Sequence, residues 1–163
     1  MINNYEKNNW TYNFAYGSNM LSSRMKSDHP VDAVRCPNAE FIGIARLDDY
    51  RFIISDRNQK ASVIKAPGEY VLGVLWRISK EEESTLDKRE GAAKTPPAYH
   101  KKYMEVKCNG ETINALVYVD RSDKINNAKK PTEEYIGYII DGANEHGINE
   151  TDPDYFNELL SWK

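Results

Sequence analysis

Two short segments carry residue types suited to chemistry on a small molecule. The first is Tyr16-Gly17-Ser18-Asn19, directly after the aromatic and apolar run Thr11–Ala15. A strand that passes through a glycine turn into a helix aims successive backbone N–H groups at one point. Such a point attracts a carboxylate or a developing oxyanion. The ordinary alternative is a strand–turn–helix in which Ser18 or Asn19 is the N-cap. Ser18 lacks a GxSxG elbow and an identifiable neighbouring base, so nothing marks it as a nucleophile. The second segment is Leu86-Asp87-Lys88-Arg89-Glu90-Gly91. Glu90 falls at the end of a helix, where the dipole is negative. Partial burial there raises a carboxyl pKa toward the range useful for a general base. The ordinary alternative is a solvated glutamate beside a C-cap glycine. Asp87, three residues earlier, can share the face of Glu90 or form a local cap or salt bridge. Among 11 tyrosines, Tyr99 opens a strand just after the Glu90 loop and Tyr135 opens a helix. Each suits a core position with its hydroxyl paired, and each suits a pocket wall.

The elements that must position these groups follow from patterning. Thr11–Ala15 reads as a strand and Met20–Lys26 as a short helix. Phe41–Ala45 and Tyr50–Ser55 read as a strand pair joined by Arg46–Asp49. Asp56–Lys60 is a polar connector and Ala61–Lys65 a further short strand. Pro67-Gly68 signals a turn, and Tyr70–Ile78 is a long strand rich in β-branched residues. Ser79–Glu90 reads as a helix with a Ser79/Glu82 capping box and Gly91 as its αL terminator. Ala92–Ala98 is an irregular loop with Pro96 and Pro97. Tyr99–Cys108 and Thr112–Asp120 form a hairpin about Asn109-Gly110. Arg121–Lys130 is a polar connector, Thr132–Glu145 an amphipathic helix, and Tyr155–Trp162 a last helix started by Asp152-Pro153. Six or seven strands and four helices, with helices gathered after the strands, suggest an α+β fold whose mixed or antiparallel sheet can curl into a small barrel.

Bulk properties narrow the function classes. At 163 residues the chain suits a single domain, here 11–163 behind a loose tail 1–10. A net charge of −3 argues against a dedicated nucleic-acid binder, and the pairs Lys101-Lys102 and Lys129-Lys130 read as solvated surface. Cys36 and Cys108 form no CxxC pair and read as reduced thiols. His29, His100 and His146 lack metal-ligand spacing, so no metal site is expected. No apolar run is long enough to span a membrane, and the polar, Asn-rich start has no signal-peptide core. The expected location is cytoplasmic. A phosphate site on the Gly17 turn lacks a Walker lysine or an extended glycine-rich loop.

Together the segments resemble the γ-glutamylcyclotransferase-like family. The resemblance rests on Phe14-Ala15-Tyr16-Gly17-Ser18-Asn19-Met20, on Gly73-Val74-Leu75-Trp76, and on Leu86-Asp87-Lys88-Arg89-Glu90-Gly91. The Tyr99 strand, Pro131–Tyr135 and Gly142-Ala143-Asn144-Glu145-His146-Gly147 extend it across almost the whole chain. It implies a small mixed β-barrel flanked by helices. It also implies cyclisation of a γ-glutamyl amide to 5-oxoproline with release of an amino acid or amine. Glu90 would be the catalytic acid/base, and Asn13, Phe14, Ala15, Tyr16, Gly17, Ser18, Tyr99 and Tyr135 would contact substrate. No cofactor is required, the partner is the small-molecule γ-glutamyl substrate, and members are often homodimers. A cyclotransferase acting on γ-glutamylamines or a γ-glutamyl-protected metabolite, or a non-catalytic small-molecule binding module on the same fold, are the alternatives. The Ala92–Ala98 loop departs from the family in carrying two prolines where many members have a glycine.

Overall fold

A computed structural model describes residues 9–26, 36–92, 94–126 and 130–163. The first eight residues of the expected tail, together with His29 and Lys129, lie outside these. Five strands run β1 Trp10–Ala15, β2 Glu40–Ile54, β3 Ala61–Ser79, β4 Tyr99–Cys108 and β5 Glu111–Asp120. The α-helices are α1 Ser22–Lys26, α2 Lys80–Arg89, α3 Glu133–Glu145, α4 Ile148–Thr151 and α5 Pro153–Leu160, and a 3-10 turn covers Ser18–Met20. The strands close a barrel in the order β1-β3-β2-β4-β5. All neighbours are antiparallel except β1 and β5, which meet in parallel at Asn13↔Leu116.

Two expected turns prove to be bends. Arg46–Asp49 does not separate two strands, and Pro67-Gly68 does not end one. Instead β2 and β3 form one long hairpin that pairs from Glu40↔Arg77 to Ile54↔Ala61. The register shifts between Asp48 and Tyr50, and here Asp49 and Gly68 both take positive φ. The Gly68 N–H donates to the Asp49 carboxylate at 3.0 Å. The turn residues therefore build a bulge, which bends a strand and increases its twist without ending its pairing. A sheet this small must bend to close, and these residues supply the bend. This merging leaves five strands among the described residues in place of six or seven. The Asn109-Gly110 hairpin is as expected, with both residues at positive φ.

The core fills the barrel and its helical flank. Trp76, Phe14, Leu75, Ile78 and Leu116 are fully buried, Leu75 and Trp76 on opposite faces of β3, and Ile136 and Ile139 of α3 are buried too. Asp152 caps α5 by accepting from Tyr155 N and also receives the Tyr70 hydroxyl, while the Tyr155 hydroxyl donates to Leu72 O at 3.2 Å. These bonds fasten the last helix to β3. The short α4 was not anticipated; its first turn follows Gly147 in the left-handed region.

Candidate active site

At one end of the barrel, β1 leaves the sheet at Ala15 and runs through Tyr16 and Gly17 into the 3-10 turn. Met20 N closes that turn on Gly17 O at 3.1 Å. The opening N–H groups of such a turn have no intrahelical partner and face outward. Neither Ser18 nor Asn19 is its N-cap; that position is Gly17, with no side-chain cap. Four contacts pin the segment. The indole N–H of Trp76 donates to Asn19 O at 3.0 Å. The His146 ring nitrogen Nε2 meets Met20 O at 2.8 Å. Ser22 N donates to the Glu145 carboxylate at 2.8 Å. Gly142 lets α3 approach so closely that a Cβ there would lie 2.7 Å from Leu21 N. The Gly73–Trp76 and Gly142–Gly147 motifs thus share one task, which is to hold the glycine turn.

Glu90 reaches the same end from α2. The helix opens with the full capping box, Ser79 and Glu82 exchanging bonds. It closes with Gly91 N on Lys88 O at 3.2 Å and Ala92 N on Asp87 O at 2.9 Å, around Gly91 at φ +68°. That is a Schellman closure, and it makes Glu90 the C-cap. Burial raises the Glu90 pKa above the ordinary glutamate value, against the opposing effects of Arg89 and of the Asn19 amide. Asn19 Nδ2 donates to Glu90 Oε1 at 3.4 Å.

The cleft is open to solvent and walled by tyrosines. Their hydroxyls differ in what they have left to give. Tyr16 donates to Tyr118 O at 2.5 Å, Tyr118 to the Asp87 carboxylate at 2.6 Å, and Tyr99 to Ala61 O at 3.1 Å. Tyr135 instead accepts from Ala61 N at 2.9 Å. Among the described residues no acceptor takes the Tyr135 proton, so its O–H is free to donate into the cleft. Burial holds all four tyrosine pKa values above the ordinary range, which keeps them neutral donors. Beside Tyr135, the Lys60 ammonium sits 4.1 Å from its ring centroid. Arg24 lies close enough to depress the Lys60 pKa, second to burial.

The cleft brings together the residues that the family resemblance implied: Asn13, Phe14, Ala15, Tyr16, Gly17, Ser18, Glu90, Tyr99 and Tyr135. Asp87 takes its local alternative, pairing with Lys101 at 3.0 Å and receiving Tyr118. Three wall residues were missed: Asn19, Ala61 and Tyr118. Asn19 stood in the quoted glycine-turn motif and was read only as a cap. Tyr118 sits mid-strand in an alternating pattern that carries no functional signal, and Ala61 contributes a wall that any small residue provides. No cluster of His, Cys, Asp and Glu among the described residues could hold a metal ion, and no helix among them is long and apolar enough to cross a membrane.

Comparison with known proteins gives concordant matches. The profile of the AIG2-like family matches residues 70–159, more than half of the chain. A γ-glutamylcyclotransferase of Bos taurus is 30% identical over 146 residues, covering 83% of this chain and 71% of its own length. That of Mus musculus is 30% identical over 158 residues, covering 90% and 75%. A solved γ-glutamyl cyclotransferase structure superposes with a TM-score of 0.77 at 26% identity, covering 93% of this chain and 87% of that one.

Proposed function

The chain belongs to the AIG2-like family, with γ-glutamylcyclotransferases among its relatives, and is an enzyme of that cyclotransferase type; from this premise we propose that Glu90 is its general acid/base and that the Asn13–Ser18 segment, Tyr99 and Tyr135 hold a γ-glutamyl substrate. The observation that carries the reading is a glutamate of raised pKa in the same cleft as the glycine turn. In the reaction the α-amine of the γ-glutamyl group attacks its own γ-carbonyl. Both reacting groups belong to one residue, so the cleft must chiefly fold the substrate, and intramolecular reactions so oriented reach effective molarities of about 10⁵ M or more. Glu90 takes a proton from the α-ammonium, the freed lone pair forms the ring N–C bond, and the tetrahedral intermediate collapses as Glu90 gives that proton to the departing nitrogen; the second surplus proton of the ring nitrogen follows the same route, so the lactam keeps one N–H and the amine leaves as an ammonium. Outward N–H groups of the turn and the free Tyr135 O–H supply donors for the oxyanion and the substrate carboxylate. No metal or organic cofactor enters these steps.

The surroundings of Tyr135 favour a leaving group with its own carboxylate, an amino acid or peptide, over a plain amine. Lys60 and Arg24 place two cationic side chains beside that wall. A cytoplasmic location goes with this reading, since a reducing compartment suits the buried free thiols Cys36 and Cys108. The test is 5-oxoproline formation from γ-glutamyl amino acids, γ-glutamylamines and glutathione, with Glu90→Gln alongside. Wild type should turn over the carboxylate-bearing donors fastest, and the variant should lose about 10² or more in kcat while keeping its fold. A Glu90→Gln enzyme running near the wild-type rate would remove Glu90 from the chemistry.

A further inference from the structure

We propose that Asn19 is a positioning residue that reserves Oε1 of Glu90, so that one oxygen, Oε2, both accepts and returns the proton during cyclisation. The inference rests on the assignment of Glu90 above. A carboxylate with two equivalent oxygens can take the α-ammonium proton on either. Only a proton on the oxygen that faces the reacting nitrogens is useful for the return step. A donor fixed on one oxygen breaks the equivalence, because an N–H bonds better to an unprotonated carboxyl oxygen than to one that carries the proton.

Asn19 has the geometry for this. Its Nδ2 lies 3.4 Å from Oε1, a long contact of the kind that tightens when substrate fills a cleft. Its backbone is immobilised by the Trp76 indole, and the next residue by His146. A side chain with two rotatable bonds on so fixed a backbone makes a short, stiff arm. The other end of the amide gives independent testimony. Asn19 Oδ1 is buried and has no hydrogen-bond partner among the described residues. Among the described residues, the Glu90 carboxylate is the hydrogen-bond partner of this side-chain amide, and it fits the orientation that turns Nδ2 toward it.

The balance of the reaction is then simple. Oε2 takes one proton from the α-ammonium, and the freed lone pair forms the N–C bond. The bond from the γ-carbon to the leaving nitrogen breaks as the same oxygen gives that proton to it, and the ring nitrogen's second surplus proton passes through Oε2 to the released amine, leaving a lactam N–H and an ammonium. The carboxyl group need not rotate between steps, and Glu90 ends ionised as it began. Its other ionisable neighbours do not compete. Arg89 lies on its own helix terminus and carries a fixed charge, while Tyr16, Tyr99, Tyr118 and Tyr135, from β1, β4, β5 and α3, remain neutral.

The experiment compares wild type, Asn19→Ala, Asn19→Asp and Glu90→Gln, with γ-glutamylalanine as substrate across the pH range, and thermal melts as a check of folding. The Trp76 bond goes to the Asn19 backbone, so the side-chain variants keep it. Asn19→Ala should lose about 10-fold or more in kcat with KM changed less than about 3-fold. The acidic limb of kcat should move to higher pH, because a donor that favoured ionised Glu90 is gone. The near-isosteric Asn19→Asp, which offers a like charge in place of the N–H, should move the limb further in the same direction. If both variants keep the wild-type pH profile while Glu90→Gln is inactive, Asn19 is structural and the proposal falls, with Glu90 untouched. An active Glu90→Gln would instead remove the reading on which the proposal stands.

Discussion

A carboxyl group that is useful as a base is awkward to fold around. Glu90 sits at a helix C-terminus in a buried site, and both circumstances disfavour its charge. Its folded pKa lies above its unfolded one. Its contribution to stability is therefore fully present below the unfolded pKa and is lost as pH rises through the folded pKa. Two outcomes are expected. The acidic limb of wild-type kcat should lie above the ordinary glutamate range. Glu90→Gln, which has no charge to bury, should melt at the same or a higher temperature than wild type at pH 7 while being inactive, as checked by calorimetry beside the activity assay. Tyr135→Phe makes a separate prediction. It removes the acceptor of Ala61 N and the one free tyrosine O–H of the wall. KM should rise by about 5- to 10-fold, with a smaller change in kcat if Tyr135 binds the substrate carboxylate and a larger one if it binds the oxyanion.

At the level of elements, the site is a glycine turn and a helix end brought together by packing. Gly142 controls half of that meeting. Gly142→Ala puts a Cβ 2.7 Å from Leu21 N and 2.8 Å from Met20 Cβ, both of which belong to the pinned turn. The expected cost is about 1–3 kcal/mol in a urea melt, and kcat should fall as the turn and Asn19 move away from Glu90. Elements governed by local chemistry were legible in the sequence. The Ser79/Glu82 box, the Gly91 terminator, the Asn109-Gly110 hairpin and the Asp152-Pro153 start are all in place. What was not legible depends on partners distant in sequence. Asp49 and Pro67-Gly68 carry turn signals, yet each is overruled by the strand paired opposite, and they bend a hairpin. The cleft residues of motif type were visible because glycines and a terminal glutamate leave a mark. Tyr118 and Ala61 were not, since a wall residue on a strand differs from a core residue only by what lies in front of it.

Across the whole molecule, the barrel is held unevenly. The β2–β3 and β4–β5 hairpins pair along their lengths, but β2 meets β4 only at Ala45↔Cys108 and Arg46↔Lys107. The β1–β5 seam has one paired position, supported by Asn13 Nδ2 on Leu116 O at 3.2 Å. A buried polar group reinforces the closure. Asp120, its side chain fully buried at the end of β5, pairs with Arg57 and accepts from Ser55 Oγ at 2.8 Å and Ser122 N at 3.0 Å. Asp120→Asn should cost about 3 kcal/mol, because it leaves Arg57 without its counter-charge. The urea midpoint should drop with little change in slope. The two thin seams also divide the chain at the Ala92–Ala98 loop. Before it come β1, β2, β3, the glycine turn and Glu90; after it come Tyr99, Tyr118 and Tyr135. The proposed proton shuttle and most of the tyrosine wall are thus inherited on opposite sides of one crossover point. Chimeras of two relatives joined within that loop should remain catalysts while changing the amine they release, so that a single recombination event is enough to pair an old chemistry with a new substrate.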